Sequence, residues 1–172
     1  HRGTNISHAE NILPAFAYSL SVGARMIELD VRLTACGTVV VIHDATVDRT
    51  TNGSGAVKQM PLTKLKSLNL KGGKNSAKSD GDLKVPTLEE VFSAFPDAKI
   101  AVELKDANWD LCRKVYELIA KHNRFDKTLV QLFSITHPLG KRREAFDIGE
   151  ERGDHPLLAR KPDLARIFDD AA

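Results

Sequence analysis

Acidic and apolar residues alternate through Met26-Ile27-Glu28-Leu29-Asp30-Val31, and no other stretch constrains the fold as much. Side chains on a strand point to opposite faces in turn, so Ile27, Leu29 and Val31 share one face and Glu28 and Asp30 the other. The apolar face has to be buried. The two carboxylates, about 7 Å apart along the strand, repel unless positive charge lies between them. A divalent cation is the economical source of that charge. Ile100-Ala101-Val102-Glu103-Leu104-Lys105 repeats the arrangement, with Ile100, Val102 and Leu104 on one face and Glu103 and Lys105 on the other. Between these segments Val39-Val40-Val41-Ile42 is an apolar run ending on His43-Asp44, and the sequence opens on His1-Arg2-Gly3. Strand ends that deliver acids, a histidine and a lysine predict an active site.

The surrounding patterns decide the fold class. Ser7-His8-Ala9-Glu10 has the form of a capping box, with Pro14 in the first turns and Gly23 near the end, so a helix is expected over 9–22. Its apolar stripe is Phe16, Ala17 and Leu20. Strands are expected at 26–33 and 38–43, made neighbours by the Cys36-Gly37 turn, antiparallel or sharply bent. Residues 44–86 are polar and loop-rich, with turn chemistry at 50–55 and one or two helical turns between Pro61 and Leu70. Thr87-Leu88-Glu89-Glu90 is a second capping box, opening a helix to Phe95 that Pro96 stops. A strand at 98–105, an amphipathic helix at 108–122 (Leu111, Val115, Leu118, Ile119) and a strand at 128–134 follow. Strands alternating with helices imply parallel pairing through right-handed crossovers, an α/β architecture. No strand is expected beyond Ser134, and residues 160–172 are expected to form a last helix.

Composition excludes more than it identifies. With 172 residues the chain is one ordinary domain, and 42% apolar with 28% charged residues is globular. A net charge of +2 and 6% aromatics argue against a nucleic-acid partner. No run approaches the roughly 20 apolar residues of a membrane span. Lysines between Lys58 and Lys84, and the Lys141-Arg142-Arg143 cluster, read as solvated surface. Cys36 and Cys112 are too few and too far apart for a thiol metal site or a disulfide framework.

The motifs, taken in order, resemble a known family. His1-Arg2-Gly3, Glu10-Asn11, Gly23-Ala24, Ile27 to Val31, Thr34, His43-Asp44, Arg49-Thr50-Thr51, Val85 to Glu90 and Glu103-Leu104-Lys105 are arranged as in glycerophosphodiester phosphodiesterases. The resemblance covers about residues 1–134, including an insertion at 44–86. It implies a TIM-barrel-type (β/α)8 fold with the site at the carboxyl ends of the strands. It further implies that Glu28, Asp30 and Glu103 bind one divalent cation, Ca²⁺ or Mg²⁺, that His1 and His43 form an acid/base pair, and that Arg2 and Lys105 hold the phosphate of a glycerophosphodiester.

Elementary chemistry accounts for those residue types. Oxygen-only ligands suit a hard cation, which stabilises negative charge growing on a phosphodiester. Arginine offers a fork to phosphate oxygens and lysine a compact charge. Two imidazoles titrating near neutrality can take one proton and give another. His8, His122, His137 and His155 are read as surface or local structure, Asp106 and Asp48 as solvated loop acids, and Asp44 as a group that orients His43 or fixes its turn. Arg32 and Lys105 are the rival partners of the buried acids.

Two departures and two alternatives complete the expectation. The family turn that often reads Asp-Gly is Cys36-Gly37 here, a turn substitution rather than a nucleophile. A full barrel has eight strands and typically about 250 residues, so the chain is expected to hold the first half of one, truncated on its C-terminal side, with 135–172 as a divergent tail. An open half-barrel exposes strand edges and is expected to favour self-association. Sphingomyelinase D-like enzymes share the His, Glu-x-Asp, His arrangement, but the Glu103-Leu104-Lys105 context and the 44–86 insertion fit the first family better. The other alternative is a silent fragment that only binds phosphate esters.

Overall fold

β1 (Met26–Leu33) organises the sheet. In the computed structural model, which describes residues 1–4, 8–72, 83–106, 108–135 and 142–147, it pairs in parallel with β3 (Lys99–Leu104). β3 pairs in parallel with β4 (Thr128–Ile135). β2 (Val39–Val41) lies antiparallel on the far side of β1, and β5 (Arg142–Asp147) lies antiparallel on β4. The spatial order is β2-β1-β3-β4-β5.

The register turns local alternation into two chemically distinct faces. Ile27 stands beside Ile100, Leu29 beside Val102 and Val31 beside Leu104, while Asp30 stands beside Glu103. The apolar face packs under α1 (Leu13–Ser21), α3 (Leu88–Ala94) and α4 (Trp109–Lys121), where Phe16, Leu88, Val91, Phe92, Leu111, Val115 and Ile119 close one core with the strands. Each such fully buried side chain contributes about 1.5–3 kcal/mol. A parallel run of strands with helices on one face and polar groups on the other is the wall of a TIM-barrel-type fold. A second core, including Val40, Ile42, Val47, Val57, Leu65, Leu70 and Val85, fastens the segment after β2. That segment holds a 3₁₀ turn (Val57–Gln59) and α2 (Leu62–Ser67), in agreement with the helical turns expected there.

Local signals account for several element ends. The expected capping box at Thr87 is present: Glu90 N–H donates to Thr87 Oγ1 at 3.1 Å, and Thr87 N–H donates to Glu90 Oε2 at 2.8 Å. Asn108 caps α4 by accepting from Asp110 N–H at 2.8 Å.

Three expectations need correction. The first helix starts at Leu13, not at residue 9, with Ile12 as an uncapped first position and Pro14 just inside. Ser7 lies outside the described residues. Glu10 and Asn11 are diverted from any capping role because their side chains bind Arg2 and Asp30. Second, the strand expected at 38–43 is only Val39–Val41. Third, a strand does exist beyond Ser134, because β4 continues to Ile135 and β5 follows. β5 reads Arg-Arg-Glu-Ala-Phe-Asp, so charges hide the alternation that marks a strand. The helix expected at 160–172 lies outside the described residues.

The β1–β2 turn makes Cys36 unusual. Its thiol is exposed and lies 3.2 Å from Thr34 Oγ1 and 3.6 Å from Thr38 Oγ1. The Thr34 hydroxyl, the Leu62 N–H and the Thr38 hydroxyl together lower its pKa to about 6, whereas burial raises that of Cys112. The sulfur thus lies within hydrogen-bonding reach of both threonine hydroxyls of the turn. Iodoacetamide at pH 7 is expected to alkylate Cys36 at least about tenfold faster than Cys112, since the thiolate is the nucleophile. Peptide mapping by mass spectrometry checks this, and equal rates would contradict it.

Candidate active site

β1 and β3 deliver three carboxylates to one point. Asp30 is fully buried, Glu103 is 5% exposed and Glu28 is half-buried, and one ligand oxygen from each lies within 4.8 Å of the others. The parallel register sets Ala101 beside Glu28, a small neighbour that leaves room for the longer acid. Three carboxylates so close require compensation. Burial raises the pKa of Glu28, and the charges of Asp30 and Glu103 raise it further, against the Arg2 N–H that donates to Oε2 at 2.8 Å.

Two cations supply part of that compensation. Arg2 Nε lies 3.1 Å from Asp30 Oδ2, and Lys105 Nζ lies 3.0 Å from Asp30 Oδ1 while also contacting Glu103 Oε1. Asn11 donates from Nδ2 to Asp30 Oδ2 at 2.8 Å and does so with φ at +58°, a left-handed conformation that asparagine tolerates better than most residues. Gly3 sits at φ +73°, and a Cβ there would lie 2.8 Å from the Ala15 backbone, so only glycine lets this turn rest on α1.

An ion fits this arrangement. Glu28 Oε1 and Asp30 Oδ1 are buried oxygens with no hydrogen bond, although Lys105 faces the latter. Buried polar atoms are rarely left so: Glu28 Oε1 has no donor and Asp30 Oδ1 only the Lys105 ammonium, and carboxylate oxygens of this kind suit a hard cation. Three carboxylates against Arg2 and Lys105 leave one net negative charge, which a divalent ion would turn to one positive charge. A phosphodiester monoanion would neutralise that. Glu28, Asp30 and Glu103 could therefore hold a metal ion.

The two histidines differ in setting. His1 has a side chain 71% exposed, with Nε2 3.9 Å from Glu28 Oε2. His43 follows β2, and its Nδ1 lies 2.7 Å from Asp44 Oδ1. Arg32 does not serve the acid cluster, as its role of rival partner required. Its Nε donates to the His43 carbonyl at 2.9 Å and its Nη1 to Asp106 Oδ1 at 2.7 Å. Asp106, with a side chain 45% exposed, is a solvated loop acid as expected and in addition the ion-pair partner of Arg32. Lys105 does act as the rival partner, and Arg2, expected to hold phosphate, pairs with Asp30 and Glu10.

Residue-by-residue reading missed a layer behind the histidine. Arg49 Nε and Nη2 donate to Asp44 Oδ2 and Oδ1 at 2.6 and 3.1 Å, and Nη1 and Nη2 donate to Glu10 Oε2 and Oε1 at 3.1 and 2.7 Å. The Arg49 guanidinium holds the Asp44 carboxyl well below the usual carboxylate range, with the His43 hydrogen bond adding to it. Burial works to raise the pKa of Glu10, but Arg49 and Arg2 prevail and lower it. The only sequence signal was the recurrence of Glu10-Asn11 and Arg49-Thr50-Thr51 among the family motifs, which assigns no contact.

Comparison with known proteins identifies the family. The chain matches the Glycerophosphoryl diester phosphodiesterase family over residues 1–143. It is 37% identical over 139 residues to a glycerophosphodiester phosphodiesterase of Caldanaerobacter subterraneus, covering 78% of this chain and 56% of that protein. The crystal structure of glycerophosphodiester phosphodiesterase from Agrobacterium tumefaciens superposes with a TM-score of 0.69 at 35% identity, covering 78% of this chain and 56% of the other. An Oleispira antarctica phosphodiesterase in complex with the product sn-glycerol-3-phosphate gives a TM-score of 0.64 at 28% identity, covering 71% and 51%. The chain thus spans about half the length of the relatives it matches. The faces of the sheet, the acidic cluster and the match over residues 1–143 lead to one conclusion: the chain belongs to the glycerophosphoryl diester phosphodiesterase family.

Proposed function

We propose that the chain carries the metal-dependent site of a phosphodiesterase that hydrolyses glycerophosphodiesters to glycerol 3-phosphate and an alcohol. The observation that carries this reading is the carboxylate triad within 4.8 Å, with Arg2 and Lys105 against it. Glu28, Asp30 and Glu103 are the ligands of one divalent ion, Ca²⁺ or Mg²⁺, as an all-oxygen set favours. Such an ion would supply positive charge to offset the negative charge that grows on the phosphoryl group in the transition state.

The chain's own residues do the rest. Lys105 and Arg2, which now pair with Asp30, are the cations assigned to the phosphate. His43, held through Nδ1 by Asp44, keeps Nε2 for proton transfer, and His1 is its counterpart at the departing or attacking oxygen. The nucleophile is water, which gives glycerol 3-phosphate directly, or a hydroxyl of the substrate glycerol, which expels the alcohol to leave a cyclic phosphate that water then opens to glycerol 3-phosphate. Support comes from the hydrolase names of the relatives and from the product bound to the Oleispira enzyme.

Hydrolysis of glycerophosphocholine by protein stripped with EDTA, then refilled with Ca²⁺ or Mg²⁺, tests the reading. Loss of turnover in EDTA and its return with either ion are expected. Turnover indifferent to EDTA would refute the metal role, and preferential cleavage of sphingomyelin would reassign the substrate.

A further inference from the structure

Asp44 would not by itself keep His43 in one place. It stands at the start of a loop, and its side chain is 28% exposed, so water competes for both of its oxygens. A partly solvated carboxylate with several rotamers cannot hold an imidazole in one orientation. Arg49, itself half exposed, limits that freedom by gripping both carboxylate oxygens at once. Its planar guanidinium presents two forks at once, Nε with Nη2 to Asp44 and Nη2 with Nη1 to Glu10. The side chain of Glu10 is only 11% exposed and also accepts from Arg2 Nη1 at 3.2 Å. The chain Glu10–Arg49–Asp44–His43 therefore joins the segment before α1 to the loop after β2, and the Glu10–Arg2 contact ties both to the acidic cluster.

We propose that Arg49, anchored by Glu10, is a positioning residue that fixes Asp44 and thereby the orientation and tautomer of His43. The inference rests on His43 acting in proton transfer. A carboxylate gripped in this way accepts from Nδ1–H and leaves Nε2 unprotonated in the neutral ring. Lysine cannot reproduce the paired forks, because an ammonium is a point donor with no planar geometry. Arg32 donates to the His43 carbonyl, which fixes the backbone but leaves the ring free to turn. Ring orientation is left to Asp44 and hence to Arg49.

The test combines kinetics with a reading that needs no turnover. Arg49→Ala is expected to lower kcat about 10–100-fold, the range for losing a partner that orients a functional ligand, with KM changed less than about threefold. Arg49→Lys should recover only part of this. Asp44→Asn should lower kcat as well, and the double variant Arg49→Ala/Asp44→Asn should fall no further than Asp44→Asn alone, because both act through one imidazole. In ¹⁵N-histidine NMR spectra at pH 8, with His43 assigned through His43→Gln, the folded wild-type ring should show the Nδ1–H tautomer and Arg49→Ala a mixture. An Arg49→Ala protein that keeps kcat within threefold, or shows the wild-type tautomer, would overturn the proposal. Multiplicative losses in the double variant would do so too. A wild type without turnover would instead refute the proposed function, and the tautomer measurement would still decide the role of Arg49.

Discussion

Glu28→Gln is expected to abolish turnover and ion binding while leaving the ion-free protein as stable as the wild type, or slightly more so. Glutamine keeps the shape and can still accept the Arg2 N–H, but it brings no charge into a site where Asp30 and Glu103 already crowd. Burial and those two neighbours make the ionised form of Glu28 unfavourable, and the neutral amide relieves that. The same substitution removes an anionic ligand. A metal contributes several kcal/mol to transition-state stabilisation, so kcat/KM should fall about 10³-fold or more. Ion affinity should fall at least about 100-fold, beyond the usual cost of a lost outer partner.

Thermal unfolding separates the two effects. Ion at 100 times its Kd stabilises a protein by about 2.7 kcal/mol, or roughly 5–10 °C for a chain of this size. The wild-type midpoint should rise by that amount, and the Glu28→Gln midpoint should move by no more than about 2 °C. Calorimetric titration reads the affinity directly. A variant that still binds Ca²⁺ or Mg²⁺ at wild-type strength, or that melts several degrees lower without ion, would contradict this account. Asp30 is a poorer choice for the same experiment. It is fully buried between Arg2, Lys105 and Asn11, so neutralising it would strand two partly buried cations and damage the fold as well.

Arg124→Met should produce the largest loss of stability away from the site, about 3–5 kcal/mol. Arg124 is 1% exposed, and its Nη1 donates to the Phe95 and Pro96 carbonyls at 2.9 and 2.8 Å while Nη2 donates to Ala98 O. The guanidinium also lies over the Phe92 ring, 4.8 Å from its centroid. Methionine fills much of the volume but withdraws a donor from three carbonyls. Phe95 O keeps the Ala98 N–H at 3.3 Å and Pro96 O keeps Lys127 Nζ at 3.5 Å. Ala98 O loses its donor, at a cost of about 1–3 kcal/mol to which the two weakened carbonyls and the lost stacking on Phe92 add. Desolvation lowers the pKa of Arg124, partly opposed by Asp126 and Asp97, so the charge is held at a cost that the carbonyl contacts offset. Those carbonyls belong to the bend between α3 and β3, which sets where β3 begins. Urea denaturation should show a lower midpoint with unchanged slope, and Arg124→Lys should restore less than half of the loss. A midpoint within error of the wild type would show that water or backbone movement satisfies the bend without Arg124.

The part of this protein legible in its sequence is the part governed by neighbours along the chain. Alternation in residues 26–31 and 100–105 was sufficient to divide the acids from the core face, and Ile27, Leu29, Val31, Ile100, Val102 and Leu104 are all buried together. The Thr87 box and the spacing of Leu111, Val115 and Ile119 likewise marked α3 and α4. These signals survive because strand and helix periods are properties of the backbone itself. β5 escaped because its charges carry no period.

What tertiary structure decided was which local pieces meet. The parallel register that sets Asp30 beside Glu103 is chosen by packing over a helical layer, and no residue near Asp30 announces it. The Arg49–Glu10 forks span 39 positions and the Arg32–Asp106 pair spans 74. Any of the chain's many arginines and acids could pair in principle, since ionic attraction has no sequence period. Only the closed geometry of β1, β2 and their loops brings these partners into reach, and with them the orientation of His43.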